Sequence, residues 1–267
     1  MIDLNFKRTW GPTPNYPNVL SYPHGTDIHQ LVIAGHCSIE SEQRVETIAK
    51  ELKRVGVTFM RGGVFRAGTY PPKEMGLRRE LLRSFAKIAR KHGLKTIIEV
   101  IDIRQIDYLD QYADAFQVGA RQGQGYVLLN ELSKTRKPVT LKRGAGMNLD
   151  EFLGAAEYLA RGRCKPILIE RGSATHMNHV RWDLSISLIA AVKEMTGMPI
   201  IVDASHGTGR RDLVWPMTMA GIAAGADGFL VEVHPDPDKS ISDADQAFPL
   251  QHFESLKVRA AELAWHV

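Results

Sequence analysis

Eight short apolar runs recur along the chain at a spacing of about thirty residues, and stretches with helical periodicity separate them. Alternation within the runs is weak, which is typical of strands that are buried on both faces. Eight strand-then-helix units predict a single (β/α)8 TIM barrel, an α/β fold whose active site lies at the carboxyl ends of the strands. The runs contain or lead into charged or metal-binding residues, namely Cys37, Arg61, Glu99, Arg121, Lys142, Glu170, His206 and Glu232.

The segments between the runs predict amphipathic helices over 41–55, 78–92, 149–161, 184–195 and 213–225. In the first of them, Val45, Ile48 and Leu52 fall on one helical face. Asn148 is a predicted N-cap because acidic residues follow it in the first turn. Long connections over 62–77, 172–182 and 234–246 follow the second, sixth and eighth strands, and loops of this length usually line a site.

The length of 267 residues fits one barrel without room for a second domain, so we expect an N-terminal extension over 1–30 and a catalytic barrel over 31–267. No apolar run reaches the roughly eighteen residues of a membrane span, and the N-terminus lacks the apolar core of a signal peptide. The two cysteines, Cys37 and Cys164, are too few for a disulfide framework. A cytoplasmic protein that does not contact membranes is therefore expected.

The net charge of +4 and the pI of about 9.0 raise the question of a nucleic-acid partner, but the basic residues form no dense run, so none is expected. Many cations instead stand singly at predicted strand ends. Unpaired cations in one barrel mouth repel each other unless a small phosphate- or carboxylate-bearing substrate lies between them. Alternatively they pair with acids such as Glu99, Glu170 and Asp203, and we expect about half to do so. These cations are Arg61, Arg66, Arg121, Lys142, Arg143, Arg171, Arg210 and Arg211.

A second group at the same predicted edge consists of metal-ligand residue types. A lone cysteine at a strand end is usually inert core. Cysteine, histidine and carboxylates together suit Mn, Fe, Co or Zn rather than Mg or Ca. A cysteine protease is not indicated, because no paired His–Asn signature accompanies the cysteine. The group comprises Cys37, His206 and Glu232, with His36, His234, Asp236, Asp238 and Asp243 nearby.

Several motifs resemble those of a known family. They are AGHCSIES (34–41), RGGVFRAGTYP (61–71), QVGARQ (117–122), LKRG (141–144), ERG (170–172), VDASHGTGRRDLV (202–214) and EVHPDPDKSISDADQ (232–246). From about Val32 to Phe253 the chain resembles the short type I 3-deoxy-D-arabino-heptulosonate 7-phosphate (DAHP) synthases that lack a regulatory domain. The resemblance implies a (β/α)8 barrel, a place in the shikimate pathway to aromatic amino acids, and a homo-oligomer, either a dimer or a tetramer.

The resemblance also assigns residues and substrates. The partners it implies are phosphoenolpyruvate and an aldehyde, and the cofactor is a divalent metal ion of the Mn, Fe, Co or Zn type. The implied metal ligands are Cys37, His206, Glu232 and Asp243. The implied substrate-binding residues are Arg61, Arg66, Glu99, Thr69, Arg121, Lys142, Arg171 and Arg210, with Lys142, His206 and Cys37 in catalysis. In the implied chemistry the metal polarises the aldehyde or a bound water, C3 of phosphoenolpyruvate attacks the aldehyde carbon, water adds at C2 and phosphate leaves.

The chain departs from the family pattern where the aldehyde would bind. The family's K-P-R-T loop is Arg66-Ala67-Gly68-Thr69 here, so Gly68 removes the arginine that grips the phosphate of erythrose 4-phosphate. Other departures are His36 in place of the family's proline, Gln122 in place of its asparagine and Ala174 in place of a loop arginine. The sequence therefore favours an acceptor other than erythrose 4-phosphate, in a specialised pathway. The alternative is a genuine DAHP synthase of the shikimate pathway that uses erythrose 4-phosphate.

Two hypotheses from other classes remain at this stage. One is a non-catalytic barrel that binds phosphoenolpyruvate, against which the four candidate metal ligands argue, because mere binding needs no Lewis acid. The other is a Schiff-base lyase at Lys142, whose pKa we expect to be lowered by Arg61, Arg121 and Arg143.

Overall fold

The computed structural model describes residue 18 and residues 31–64 and 78–264. The predicted extension over 1–30 lies outside the described residues, apart from Asn18, which donates from its backbone N–H to Glu157 over 3.3 Å. Most of the 62–77 connection, with Arg66, Gly68 and Thr69, also lies outside them.

Eight parallel strands form a closed barrel, as predicted. Neighbouring strands pair in chain order, and β8 pairs with β1 to close the sheet, with Leu31 opposite Gly228 and Gly35 opposite Glu232. The strands are β1 (Leu31–Gly35), β2 (Phe59–Gly62), β3 (Lys95–Val100), β4 (Ala115–Val118), β5 (Pro138–Lys142), β6 (Lys165–Glu170), β7 (Ile200–Asp203) and β8 (Gly228–His234).

The helices surround this barrel. The five predicted helices are present, and α8 begins two residues earlier than predicted, at Arg211, with Pro216 inside it. Asn148 caps α5: its side chain accepts a hydrogen bond from Glu151 N, and the Glu151 side chain accepts one from Asn148 N. The helices are α1 (Glu42–Arg54), α2 (Arg79–Lys91), α3 (Ile106–Asp110), α4 (Tyr126–Ser133), α5 (Leu149–Ala160), α6 (Ile186–Met195), α7 (Ala204–Thr208), α8 (Arg211–Ala223) and α9 (Phe253–Ala264). None in the described part of the chain is long and apolar enough to cross a membrane.

The core has two parts, because each strand is buried on both faces. Inward-facing side chains fill the barrel interior, and a larger layer lies between the sheet and the helices. Branched aliphatic residues dominate the interior, as the narrow space inside eight strands requires. The interior set is Ile33, Ile97, Ala115, Ile167, Ile169, Ile201 and Leu230.

A short ninth strand, which the sequence did not predict, fixes the long connection after β8. In β9 (Phe248–Pro249), Phe248 pairs with Val233 in parallel and Pro249 with His234. Just before β9, a single 3₁₀ turn over Ala244–Gln246 follows Asp243. The connection is thus held against the carboxyl edge of the barrel, where the candidate metal ligands lie.

Candidate active site

The four predicted metal ligands converge at the carboxyl end of the barrel. One donor atom from each of Cys37, His206, Glu232 and Asp243 can be chosen so that all lie within 4.8 Å of one another. Cys37 Sγ is 3.7 Å from His206 Nε2, which is in turn 3.8 Å from Glu232 Oε2. One thiol, one imidazole and two carboxylates form a donor set that suits Mn, Fe, Co or Zn. The residues present therefore fit the metal that the motifs imply.

Asp203 determines which ring nitrogen of His206 faces this cluster. It ends β7 and caps α7, where its Oδ1 accepts from His206 N over 3.0 Å. The same carboxylate lies 3.0 Å from His206 Nδ1. Because a carboxylate is a strong acceptor, the proton resides on Nδ1, and the Nε2 lone pair points toward Cys37 and Glu232. Burial lowers the pKa of His206 to about 3, which keeps this ring neutral and able to bind a metal.

Lys142 occupies the floor of the site beside the same carboxylate. Its Nζ donates to Asp203 Oδ2 over 2.7 Å and lies 3.5 Å from His206 Nδ1. Burial lowers the pKa of Lys142, and Asp203 opposes that effect while Arg61 reinforces it. The direction agrees with the predicted decrease in the pKa of Lys142, but burial is its main cause. Of the three arginines expected to lower it, only Arg61 is among the main causes, and Arg121 and Arg143 are not.

Arg61 and Arg171 bring buried, incompletely paired guanidinium groups to the site. Arg61 Nη1 and Arg171 Nε are buried without a hydrogen-bond partner, while Arg171 Nη2 donates to the carbonyl of His206 over 3.2 Å. The Arg171 guanidinium lies over the Trp182 ring, 5.2 Å from its centre. Buried N–H groups without partners are costly. Two such cations at one end of a barrel therefore indicate an anion-binding site.

Glu99 lies on β3, the strand next to β2 and Arg61, and packs against Gly119. A Cβ built at Gly119 would stand 2.1 Å from Glu99 Oε1, so any other residue at position 119 would force this carboxylate to move. Gln117 donates to Glu99 Oε2 over 3.4 Å, and its own Oε1 is buried without a partner. Arg121 follows on the 3₁₀ turn after β4. Burial is the main reason that the pKa of Arg171 falls to about 10, and the charge of Arg121 adds a smaller decrease.

The other predicted cations among the described residues form ion pairs with neighbouring acids. Arg143 Nη2 donates to the buried Glu170 over 2.8 Å. Arg210, predicted to bind substrate, is half-exposed and donates from Nε to Asp212 over 3.1 Å and from Nη1 to the His179 carbonyl. The guanidinium of Arg210 is thus paired within the protein at the start of α8, and its role in substrate binding stays a prediction. Arg211 likewise donates to Asp238 over 2.8 Å.

Some residues at the site were not singled out from the sequence. Gln117, Trp182 and Gln246 contact site residues, and Asp203 was considered only as a partner for a cation. Their neighbours come from other strands and loops, so spacing along the chain carries no signal for them. The one available sign for Asp203 is its position three residues before His206, which places it at the N-cap of the short helix.

Comparison with known proteins agrees with this geometry. The model of the DAHP synthetase I family matches residues 15–267. The chain belongs to this family. It is 39% identical to the phospho-2-dehydro-3-deoxyheptonate aldolase of Thermotoga maritima over 87% of this chain and 69% of that protein. It is also 31% identical to the 2-dehydro-3-deoxyphosphooctonate aldolase of Desulfotalea psychrophila, over 92% of this chain and 97% of the relative.

The solved structures point to the same family. A truncated form of the 3-deoxy-D-arabino-heptulosonate 7-phosphate synthase from Thermotoga maritima superposes with a TM-score of 0.82 at 36% identity, over 90% of this chain and 88% of that chain. The chain is accordingly an enzyme of the DAHP synthase type, a phosphoenolpyruvate-dependent transferase that forms a carbon–carbon bond. The hypothesis of a non-catalytic barrel loses its support.

Proposed function

We propose that the enzyme condenses phosphoenolpyruvate with an aldehyde at the buried cluster, in a metal-dependent reaction that releases phosphate and yields a 3-deoxy-2-keto acid. The observation that carries the proposal is the position of four metal-binding side chains beside Lys142. Their donor atoms lie within 4.8 Å of one another, and His206 also lies 3.5 Å from Lys142 Nζ. An anion bound by the cations therefore lies next to the metal position.

In this proposal the donor half of the site binds phosphoenolpyruvate through charge. Arg61 and Arg171 have buried N–H groups with no protein partner, and a phosphate or carboxylate would satisfy them through charge-assisted bonds. Lys142 adds a third cation, while Arg121 extends the positive wall on β4. Gln117 on β4 supplies an amide to this half of the site, and the family resemblance adds Glu99 on β3.

The residues that would hold the metal are Cys37, His206, Glu232 and Asp243. A bound divalent ion would act as a Lewis acid toward the aldehyde oxygen. Asp203 orients His206 for metal binding, because it accepts a hydrogen bond from Nδ1 and leaves Nε2 facing the cluster. Burial raises the pKa of the Cys37 thiol and raises that of Glu232 to about 8, so both groups release protons when they become ligands.

Lys142 has two tasks in this account. Its ammonium neutralises the donor, and its pKa, lowered by burial, makes the proton at Nζ easier to transfer to an oxygen that gains charge. A Schiff-base mechanism requires instead a neutral amine at Nζ. The ion pair with Asp203 over 2.7 Å stabilises the ammonium and disfavours that mechanism.

For the acceptor we propose an aldehyde without a phosphate at the place where erythrose 4-phosphate carries one. The support is the sequence: Gly68 and Ala174 stand where two family arginines are expected. The relatives' names specify products of seven and of eight carbons, so the acceptor varies among similar proteins. The second candidate is the DAHP synthase reaction itself with erythrose 4-phosphate, which the heptonate aldolase relative at 39% identity favours.

The test compares kcat/KM for erythrose 4-phosphate and for unphosphorylated aldehydes. Loss of one charge-assisted contact predicts discrimination against erythrose 4-phosphate by roughly 1.5–3 kcal/mol, or about ten- to over a hundredfold. Gly68→Arg should recover part of this deficit, and Gly68→Ala is the matched control for the backbone change. A wild-type value of about 10⁴ M⁻¹s⁻¹ or more with erythrose 4-phosphate would establish the DAHP synthase reaction instead.

We further propose that one catalytic barrel over 31–267 follows the N-terminal extension, and that the enzyme is a cytoplasmic homo-oligomer, a dimer or a tetramer. Exposed apolar area at Val127, and at the stacked rings of Tyr126 and Tyr158, is consistent with a neighbouring copy. Sedimentation equilibrium that gave the mass of one chain would contradict the oligomer.

A further inference from the structure

A chain of hydrogen bonds reaches the candidate metal ligands from the loop side. Gln246 Nε2 donates to Glu232 Oε2 over 2.7 Å. Arg181 Nη1 lies 3.2 Å from Gln246 Oε1 and 3.3 Å from Asp243 Oδ1. Arg181 and Gln246 thereby contact two of the four candidate ligands. Neither residue is itself placed to bind a metal or a substrate in the account above.

Arg181 determines which way the Gln246 amide faces. A guanidinium has N–H donors and no acceptor, so the amide oxygen must face Arg181. The NH₂ group must then face Glu232, and it can donate only to an oxygen with a free lone pair. This orientation holds the carboxylate by its Oε2 atom, the same atom that lies 3.8 Å from His206 Nε2.

The local fold places the amide and Asp243 together. Asp243 has a φ of 52°, in the left-handed region, and the 3₁₀ turn over Ala244–Gln246 begins directly after it. Gln246 N bonds back to the Asp243 carbonyl over 3.1 Å, and Arg211 Nη2 donates to the Ala244 carbonyl over 2.9 Å. Because these bonds hold the turn in place, the candidate ligand Asp243 and the Glu232 partner Gln246 keep a fixed spacing.

We propose that Gln246 is a positioning residue that, held by Arg181, fixes the Glu232 carboxylate for metal capture. The inference rests on the metal centre proposed above. It explains why Gln246 is almost completely buried, at 2% exposure, directly after the exposed Asp245. Partners of this kind typically change metal affinity by about ten- to a hundredfold when they are removed.

The test is a Co²⁺ titration of the demetallated full-length chain, following the absorption of the cobalt–thiolate bond at Cys37. Gln246→Met keeps an unbranched side chain of similar length but removes the donor. We expect it to weaken Co²⁺ binding by about ten- to a hundredfold. Gln251→Met changes an exposed glutamine whose amide contacts His252 rather than a candidate ligand, and it should bind Co²⁺ within about twofold of the wild type, a limit set by ordinary surface substitutions.

The outcomes separate this inference from the metal centre. If the wild type binds no Co²⁺, the metal centre itself is wrong. If the wild type binds and Gln246→Met binds equally well, even with a lower melting temperature, Gln246 only fills space and the inference is overturned. Should Gln246→Met fail to fold, Arg181→Met, at a half-exposed position, decides: unchanged affinity overturns the inference, and a loss of about tenfold supports it.

Discussion

Replacing Asp203 with asparagine should expose how much of the site's stability depends on one carboxylate. Asp203 is fully buried and is held by Lys142 Nζ over 2.7 Å and by two nitrogens of His206. Burial alone would raise its pKa, but His206 and Lys142 hold that pKa well below its usual range. Asparagine keeps the shape but removes the charge, and its NH₂ group must then face either the ammonium or the imidazole N–H.

The loss of unfolding free energy in Asp203→Asn is limited by the cost of discharging Lys142. Removing one partner of a buried pair costs about 3–5 kcal/mol, because the remaining charge stays buried. Lys142 can escape this penalty by releasing its proton. From its ordinary pKa of 10.5, full discharge at pH 7 costs about 5 kcal/mol, at roughly 1.4 kcal/mol per pH unit. We therefore expect Asp203→Asn to lose about 3–5 kcal/mol of unfolding free energy at pH 7.

The pH dependence has a definite sign. In the variant, Lys142 is neutral when folded and protonated when unfolded, so the unfolded state binds the extra proton. Stability then rises with pH, and the deficit should shrink by up to about 1.4 kcal/mol per pH unit between pH 7 and pH 9. The matched control is Asp227→Asn. Asp227 pairs with Lys193 over 2.6 Å, and the Lys193 side chain is partly exposed. This control should therefore lose only about 1 kcal/mol of unfolding free energy.

The assay is urea unfolding of the demetallated proteins at pH 7, 8 and 9, monitored by circular dichroism. Two results would contradict the stabilising role of the Asp203 carboxylate. One is a loss in Asp203→Asn no larger than in Asp227→Asn. The other is a deficit that stays constant or grows as the pH rises, which would mean that Lys142 keeps its proton in the variant.

Three further predictions follow from the site. Metal affinity should rise with pH from 6 to 9, by up to about tenfold per pH unit for each proton released. The reason is that burial raises the pKa of Cys37 and brings that of Glu232 to about 8. Calorimetry in buffers of different ionisation enthalpy checks the proton release, and a pH-independent affinity would contradict the prediction. Arg171→Ala should weaken phosphoenolpyruvate binding by about 2–4 kcal/mol, the cost of losing a desolvated charged contact; unchanged affinity in calorimetry would remove it from the site. Gly119→Ala should weaken phosphoenolpyruvate binding, because its Cβ would lie 2.1 Å from Glu99 Oε1 and displace that carboxylate. The control is Gly154→Ala, on a helix with open space around it, which should leave binding unchanged and raise the free energy of unfolding by up to about 1 kcal/mol.

The barrel was predictable because its signals are local. Pro138 opens β5 and Lys142 closes it, and apolar runs of this kind alternate with helical periodicity eight times. Asn148 caps α5 as its sequence context indicates. The helices α3, α4, α7 and α9 and the strand β9 were not predicted. Of these, α3, α7 and β9 have five residues or fewer, which carry too little periodicity to distinguish a turn from a helix or a strand.

Pairing inside the site was harder to predict than its membership. Lys142 and Arg143 are neighbours at one strand end, yet Lys142 bonds to Asp203 and Arg143 to Glu170. Successive side chains of a strand point to opposite faces, so which acid each one meets depends on how the barrel closes. The set of metal ligands came from the family resemblance, since the residues lie on distant strands and their spacing alone carries little information.

The decisive measurement is phosphate release from phosphoenolpyruvate across a panel of aldehydes, with and without metal. We expect release to require phosphoenolpyruvate, an aldehyde and a divalent metal together. We also expect that exhaustive demetallation abolishes turnover, and that Mn, Co or Zn restores it better than Ca. Full activity of the demetallated enzyme, or phosphate release at the same rate without any aldehyde, would contradict a metal-dependent condensation at Cys37, His206, Glu232 and Asp243.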